Sequence, residues 1–114
     1  MTISQIDAMI GEVKVNDEVV PYSYYQFPDT GQEPPFICWY CDGIDDVYGD
    51  NTNYQRIVQL IIEFYSDEKD FETEAIIEAV LKQHGLSYGM TETYIDTERM
   101  HETIYQMEVL INGQ

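Results

Sequence analysis

The stretch "IIEFYSDEKDFETEAI" (residues 61–76) decides the fold, because its hydrophobic periodicity changes from that of a strand to that of a helix. Just upstream, "YQRIVQLIIEFY" (54–65) alternates. Arg56, Val58, Leu60, Ile62 and Phe64 face one way, while Gln55, Ile57, Gln59, Ile61, Glu63 and Tyr65 face the other. Apolar side chains on both faces predict a strand in the middle of a sheet. Residues 67–70 then form a turn, and Asp70 caps a helix whose first turn carries Glu72 and Glu74, where the macrodipole favours carboxylates. Phe71, Ala75, Ile76, Ala79 and Val80 make the expected buried stripe of that helix. Lys82 and His84 fall in its last turn, and Gly85 is the residue that ends it.

Towards the N-terminus, "TISQIDAMIGEVK" (2–14) spaces Ile3, Ile6, Met9, Ile10 and Val13 as a helix, with Thr2 or Ser4 as its cap. "VVPYSYYQF" (19–27) reads as an edge strand, since Pro21 removes a donor near its start. "PDTGQEPP" (28–35) is a loop, "FICWYC" (36–41) a second strand, and 42–53 a polar loop. Beyond the second helix, 86–96 and 101–112 form two strands joined near "TERM". In the last of these Tyr105, Met107, Val109 and Ile111 share one face, with Gln106 and Glu108 turned outward. The order α-β-β-β-α-β-β predicts a single α+β domain over residues 1–114, a mainly antiparallel sheet with two helices packed on one face.

Charge excludes whole classes of partner. The chain has 114 residues, with 22 Asp plus Glu against 5 Lys plus Arg, a formal net charge of −17. Duplex DNA is gripped through Lys and Arg, and anionic lipid attracts the same residues, so neither is an expected binding partner. A hydrophobic fraction of 44% nonetheless predicts a folded core rather than disorder. The N-terminus is amphipathic rather than signal-like, which predicts a cytoplasmic protein. Cys38 and Cys41 agree with a reducing compartment.

The "CWYC" pair resembles half of a zinc or redox site, but residues three apart on a strand point to opposite faces. His84 and His101 are the only histidines available to complete four ligands. Asp42, Asp45, Asp46 and Asp50 offer oxygen ligands without the calcium-loop spacing, because the position that should be Glu is Asn53. No nucleophile motif or phosphate loop is present. The expectation is therefore no catalytic residue, no metal and no cofactor. Aromatic residues reach 13%, with ten tyrosines. Tyr and Trp join apolar area to a polar tip and are enriched at protein interfaces, which makes Tyr22, Tyr24, Tyr25, Trp39 and Tyr40 the candidate interface residues.

Several segments carry a resemblance. "DNTNY" before the long strand (Asp50, Asn51, Tyr54), Lys69 and Asp70 before the second helix, "ETYID" with its following acid (Glu92, Tyr94, Ile95, Glu98), and the final Tyr-x-x-Glu-Val together resemble tail-terminator or head–tail joining proteins. These are small structural proteins of long-tailed phages and prophages of Gram-positive bacteria, often labelled minor capsid proteins. The resemblance covers about residues 50–110 and, more loosely, "PPFICWYCDG". It implies a ring, commonly six-fold, that caps the tail tube, docks to the head connector and lets DNA through an acidic lumen without binding it. It also implies assembly in host cytoplasm and residence in the virion neck. An acidic inhibitor that mimics DNA is the competing class, because charge complementarity to a nucleic-acid-binding protein speeds association.

Overall fold

The computed structural model describes residues 1–26, 32–48 and 54–112, with side chains described outside 43–48, 54–56 and 112. In chain order the elements are α1 (Ile3–Ile10), β1 (Lys14–Val15), β2 (Glu18–Val19), β3 (Tyr22–Tyr24) and β4 (Phe36–Tyr48). They continue with β5 (Tyr54–Ser66), α2 (Phe71–Gln83), β6 (Gly89–Ile95) and β7 (Met100–Asn112). The alternating stretch becomes β5, the central strand of a five-stranded sheet ordered β3-β4-β5-β7-β6. Adjacent strands of the sheet are antiparallel except β3, which runs parallel to β4. Val58, Leu60, Ile62 and Phe64 of β5 are buried on one face, together with Ile37, Trp39, Tyr105, Met107, Val109 and Ile111. Both helices cover that face through Ile6, Met9 and Ile10 of α1 and Ile77, Val80 and Leu81 of α2. Each fully buried aliphatic side chain contributes roughly 1.5–3 kcal/mol relative to exposure. The other face of the sheet is covered by no described helix, and Ile57, Gln59, Ile61, Glu63 and Tyr65 are half-buried there.

The helix ends follow their cap chemistry. Thr2 Oγ1 accepts from Gln5 N at 3.1 Å and Gln5 Oε1 accepts from Thr2 N at 2.8 Å, a reciprocal box that starts α1. Asp70 Oδ1 accepts from Thr73 N at 3.0 Å and its Oδ2 from Thr73 Oγ1 at 2.8 Å. At the far end Leu86 N donates to Leu81 O and Gly85 N to Lys82 O, with Gly85 at φ +73. This paired closure needs a left-handed residue, which glycine supplies without strain.

The fold departs from the sequence reading in four places. Helix α1 stops at Ile10 rather than Val13 or Lys14, and a small hairpin β1–β2 follows it. Asn16 and Asp17, at φ +53 and +66, make its two-residue turn, a conformation Asn and Asp tolerate. The expected strand 19–27 is broken in two by Pro21 and ends at Tyr24, because Tyr25 turns at φ +71. The expected loop over 42–53 is strand as far as Tyr48, and residues 49–53 lie outside the described residues, as does 27–31 of the preceding loop. A bulge between Asp42 and Asp45 lets β4 stay paired to β5 across that acidic segment. Finally, the buried side of α2 is Thr73, Glu74, Ile77, Val80 and Leu81, while Phe71 is 73% exposed. The stripe is rotated because Glu74 is paired inside: its Oε1 lies 2.8 Å from Lys69 Nζ and its Oε2 accepts from Thr103 Oγ1 at 3.1 Å. A carboxylate with both oxygens satisfied can be buried where an unpaired one could not.

Candidate assembly surface

Strand parity divides the aromatic candidates. Trp39 stands on the helix-covered face beside Ile62 and is 1% exposed. It is a core residue, and its Nε1 is buried without a hydrogen-bond partner. Tyr22, on the same face through its pairing with Ile37, is half-buried and packs against the core near Gly11. Tyr24 lies at the rim, its ring edge-on to Trp39 at 4.8 Å, and is 52% exposed. The left-handed turn at Tyr25 carries its ring across the end of β3, where it lies 5.4 Å from Tyr40 on the open face. Tyr25 is 63% exposed. Three of the five candidates, Tyr24, Tyr25 and Tyr40, thus form one strip along the β3–β4 edge, with Trp39 supporting it from behind.

Beside the strip, a shallow cleft of about 410 Å³ is lined by Tyr25, Tyr40, Cys41, Asp42 and Glu63. Its floor continues into a proton-sharing group. Tyr65 Oη lies 3.1 Å from Glu63 Oε1 and 2.8 Å from Glu102 Oε2. One hydroxyl proton cannot serve both carboxylates at once. Burial pushes the Glu63 carboxyl up, the Tyr65 hydrogen bond draws it partly back, and the Glu102 charge pushes it up again. Burial and then the neighbouring carboxylates raise Tyr40 and Tyr65 likewise, so both phenols stay neutral. The arrangement is polar and closed on itself, with no nucleophile activated by a base. Burial raises the Cys41 thiol, which favours the unreactive protonated form.

The cysteines occupy the placement that the strand geometry demands: Cys38 pairs with Glu63 on the open face and Cys41 with Leu60 on the helix face. Neither forms a disulfide. Among the described residues no three His, Cys, Asp or Glu side chains converge as metal ligands, while Asp50 and the side chains of Asp45 and Asp46 lie outside them. No described helix is long and apolar enough to cross a membrane.

A second surface surrounds the start of α2. Phe71 stands outside the core among Asp67, Glu68, Asp70 and Glu72, with the Lys69 ammonium 5.1 Å from its ring centre. Sequence reasoning missed this surface by assigning Phe71 to the core; the signal that separates the two is the buried ion pair of Glu74, which no periodicity reveals. The opposite sheet edge, β6, is exposed along nearly its whole length, with Met90 and Tyr94 bare on it.

No family model matches the chain, and no curated protein sequence does. Among solved structures, the chain is similar to one in the "Virion of native gene transfer agent (GTA) particle", with a TM-score of 0.58 at 13% identity. The match covers 95% of this chain and 84% of that chain. At this identity the likeness is one of fold.

Proposed function

We propose that this chain is a structural protein of a phage-like particle, forming a homo-oligomeric ring at the neck that ends the tail tube and joins tail to head. The observation that carries the reading is the fold likeness to a virion chain over 95% of the sequence. The exposed strip of Tyr24, Tyr25 and Tyr40 supports self-assembly, since aromatic side chains dominate interface energetics. The partners would be further copies of the chain, a tail-tube protein and a head-completion protein, met in host cytoplasm during assembly and retained in the virion. Acids lining a lumen would repel the DNA backbone over a Debye length of about 8 Å, so that the genome slides without sticking.

Light scattering coupled to size exclusion, across protein and salt concentration, tests the assembly step, and electron microscopy tests its shape. Rings, free or on tail tubes, are the expected result. In particles lacking the protein, separate heads and tails should accumulate. A chain that stays monomeric under all conditions, fails to form rings on tail tubes, and instead captures a nucleic-acid-binding protein would replace this reading with that of an acidic inhibitor.

A further inference from the structure

The two edges of the sheet are matched in height, face and charge. Following the register across the sheet, Met90 of β6 stands level with Tyr105, Ile62, Trp39 and finally Tyr24 of β3. The next row runs from Thr91 through Ile104, Glu63 and Cys38 to Ser23. The third runs from Glu92 through Thr103, Phe64 and Ile37 to Tyr22. Directly paired residues point to the same face, so Met90 and Tyr24 both lie on the helix side and Thr91 and Ser23 both on the open side. The directions also agree: β6 runs opposite to β7, β7 along β4, and β4 along β3, which makes β6 antiparallel to β3.

Charge singles out the same two edges. In a chain of net charge −17, β3 has no Asp, Glu, Lys, Arg or His, and the one carboxylate of β6, Glu92, is ion-paired with Lys69. On these two strands the one carboxylate a second copy would meet is that of Glu92, which Lys69 pairs. Neither edge has a strand partner among the described residues, and β6 carries none of the lysine or proline that blunts such edges.

We infer that the β6 edge of one copy pairs antiparallel with the β3 edge of the next, setting Met90 against Tyr24, Thr91 against Ser23 and Glu92 against Tyr22. The contact is head-to-tail, so it repeats from copy to copy and closes where the rotation allows. A two-fold contact between β6 strands would centre on Glu92, placing like charges together, and would leave Tyr24 bare. Because β3 is three residues long, backbone hydrogen bonds are few, and the aromatic strip supplies the rest of the affinity. The inference rests on the self-assembly reading above and adds to it the surface that assembles.

Amide hydrogen exchange on the unaltered chain, free and assembled, gives the first test: the outward amides of β6 exchange freely in the monomer and become protected in the assembly. Variants give the second. Adjacent strand residues send their N–H groups to opposite edges, so one of Thr91→Pro and Glu92→Pro keeps every β6–β7 hydrogen bond. The variant that retains the parent melting temperature is the β6-edge variant; Tyr24→Ser is its β3-edge counterpart. Each alone should be monomeric where the unaltered chain assembles, with association weakened tenfold or more. Mixed in equal amounts, they should stop at a heterodimer, since each keeps one intact edge. Dimers of either variant alone, or assemblies whose β6 amides remain unprotected, overturn the edge assignment while leaving the ring in place. An unaltered chain that never associates, free or on tail tubes, overturns the edge and the ring together.

Discussion

Replacing Lys69 by Met should destabilise the protein through a carboxylate that does not itself change. Glu74 is 4% exposed on α2 and has two partners, the Lys69 ammonium at 2.8 Å and the Thr103 hydroxyl at 3.1 Å. Removing one member of a buried ion pair typically costs about 3–5 kcal/mol, because the remaining charge is left without compensation. Two features lower the figure here: the Lys69 side chain is 24% exposed, and the hydroxyl of Thr103 still donates to Glu74. The expected loss is therefore about 2–3 kcal/mol, set by the lower end of that range. For a domain of this size it corresponds to roughly a 10 °C fall in melting temperature, at about 4 °C per kcal/mol. Thr103→Val, which removes one hydrogen bond to a charged acceptor, should cost about 1.5–3 kcal/mol. The diagnostic variant is the double substitution Lys69→Met with Glu74→Leu, which removes both charges and fills the space with apolar atoms. It should be more stable than Lys69→Met alone. Chemical denaturation with an unchanged slope measures all three. If Lys69→Met shifts stability by less than about 0.5 kcal/mol, the size of an ordinary surface substitution, Glu74 is not the buried charge that turns α2. With Glu74→Leu measured as well, a double variant that costs the sum of Lys69→Met and Glu74→Leu would mean that the two residues are uncoupled and the argument fails.

Asp70→Ala, which deletes the two hydrogen bonds to Thr73, should cost about 1 kcal/mol; an unchanged denaturation midpoint would mean the cap carries nothing. Glu63→Gln should stabilise the protein at neutral pH. Burial raises the folded-state pKa of Glu63, so its destabilising contribution develops as pH rises through the unfolded and then the folded pKa, and is absent below both. Melting curves of the pair should therefore diverge at pH 7 and converge below about pH 4, near the unperturbed carboxylate pKa. Raising salt should strengthen self-association, because it screens acid against acid while leaving apolar burial intact; light scattering that shows dissociation at high salt would contradict an aromatic interface.

Much of the scaffold was legible because its signals are local. The alternation of 54–65, the Asp70 cap and the Gly85 closure each depend on a few neighbouring residues, and the structure has them where the spacing predicts. The failures involve partners distant in sequence. Burial of Glu74 needs Thr103, across the sheet on β7, so the face of α2 could not be read from α2 alone. The continuation of β4 through an acidic segment depends on β5 holding it past a bulge. The hairpin of β1 and β2 did have a local signal, Asn16-Asp17 between two valine-bearing strands, that the helical spacing of Val13 concealed. Among the interface candidates, parity was enough to separate Trp39 from Tyr40: the residue that shares a face with Ile37 goes inside. Tyr25 escapes parity altogether, since its left-handed backbone breaks the alternation and brings it next to Tyr40.

A net charge of −17 opposes any association of like copies, and six copies together would carry about −100. Such repulsion selects where contact can occur rather than forbidding it. Among the described residues, strips with few carboxylates are where two copies approach at the least electrostatic cost. The β3 edge and the β6 edge, whose one carboxylate is paired with Lys69, are such strips, and the exposed aromatic and thioether side chains of Tyr24, Tyr25, Met90 and Tyr94 sit along them. Lys69 therefore acts at two levels. It holds α2 against β7 through Glu74, and, shared with Glu92, it offsets part of the charge that stands in the middle of an exposed edge. Its loss should then weaken assembly as well as folding, and Glu92→Gln separates the two: that substitution leaves the Lys69–Glu74 pair in place while keeping the edge free of negative charge. Lys69→Met with Glu92→Gln should assemble better than Lys69→Met alone, compared at a temperature where both are folded. Equal association of the two would show that charge at this edge does not govern how copies meet.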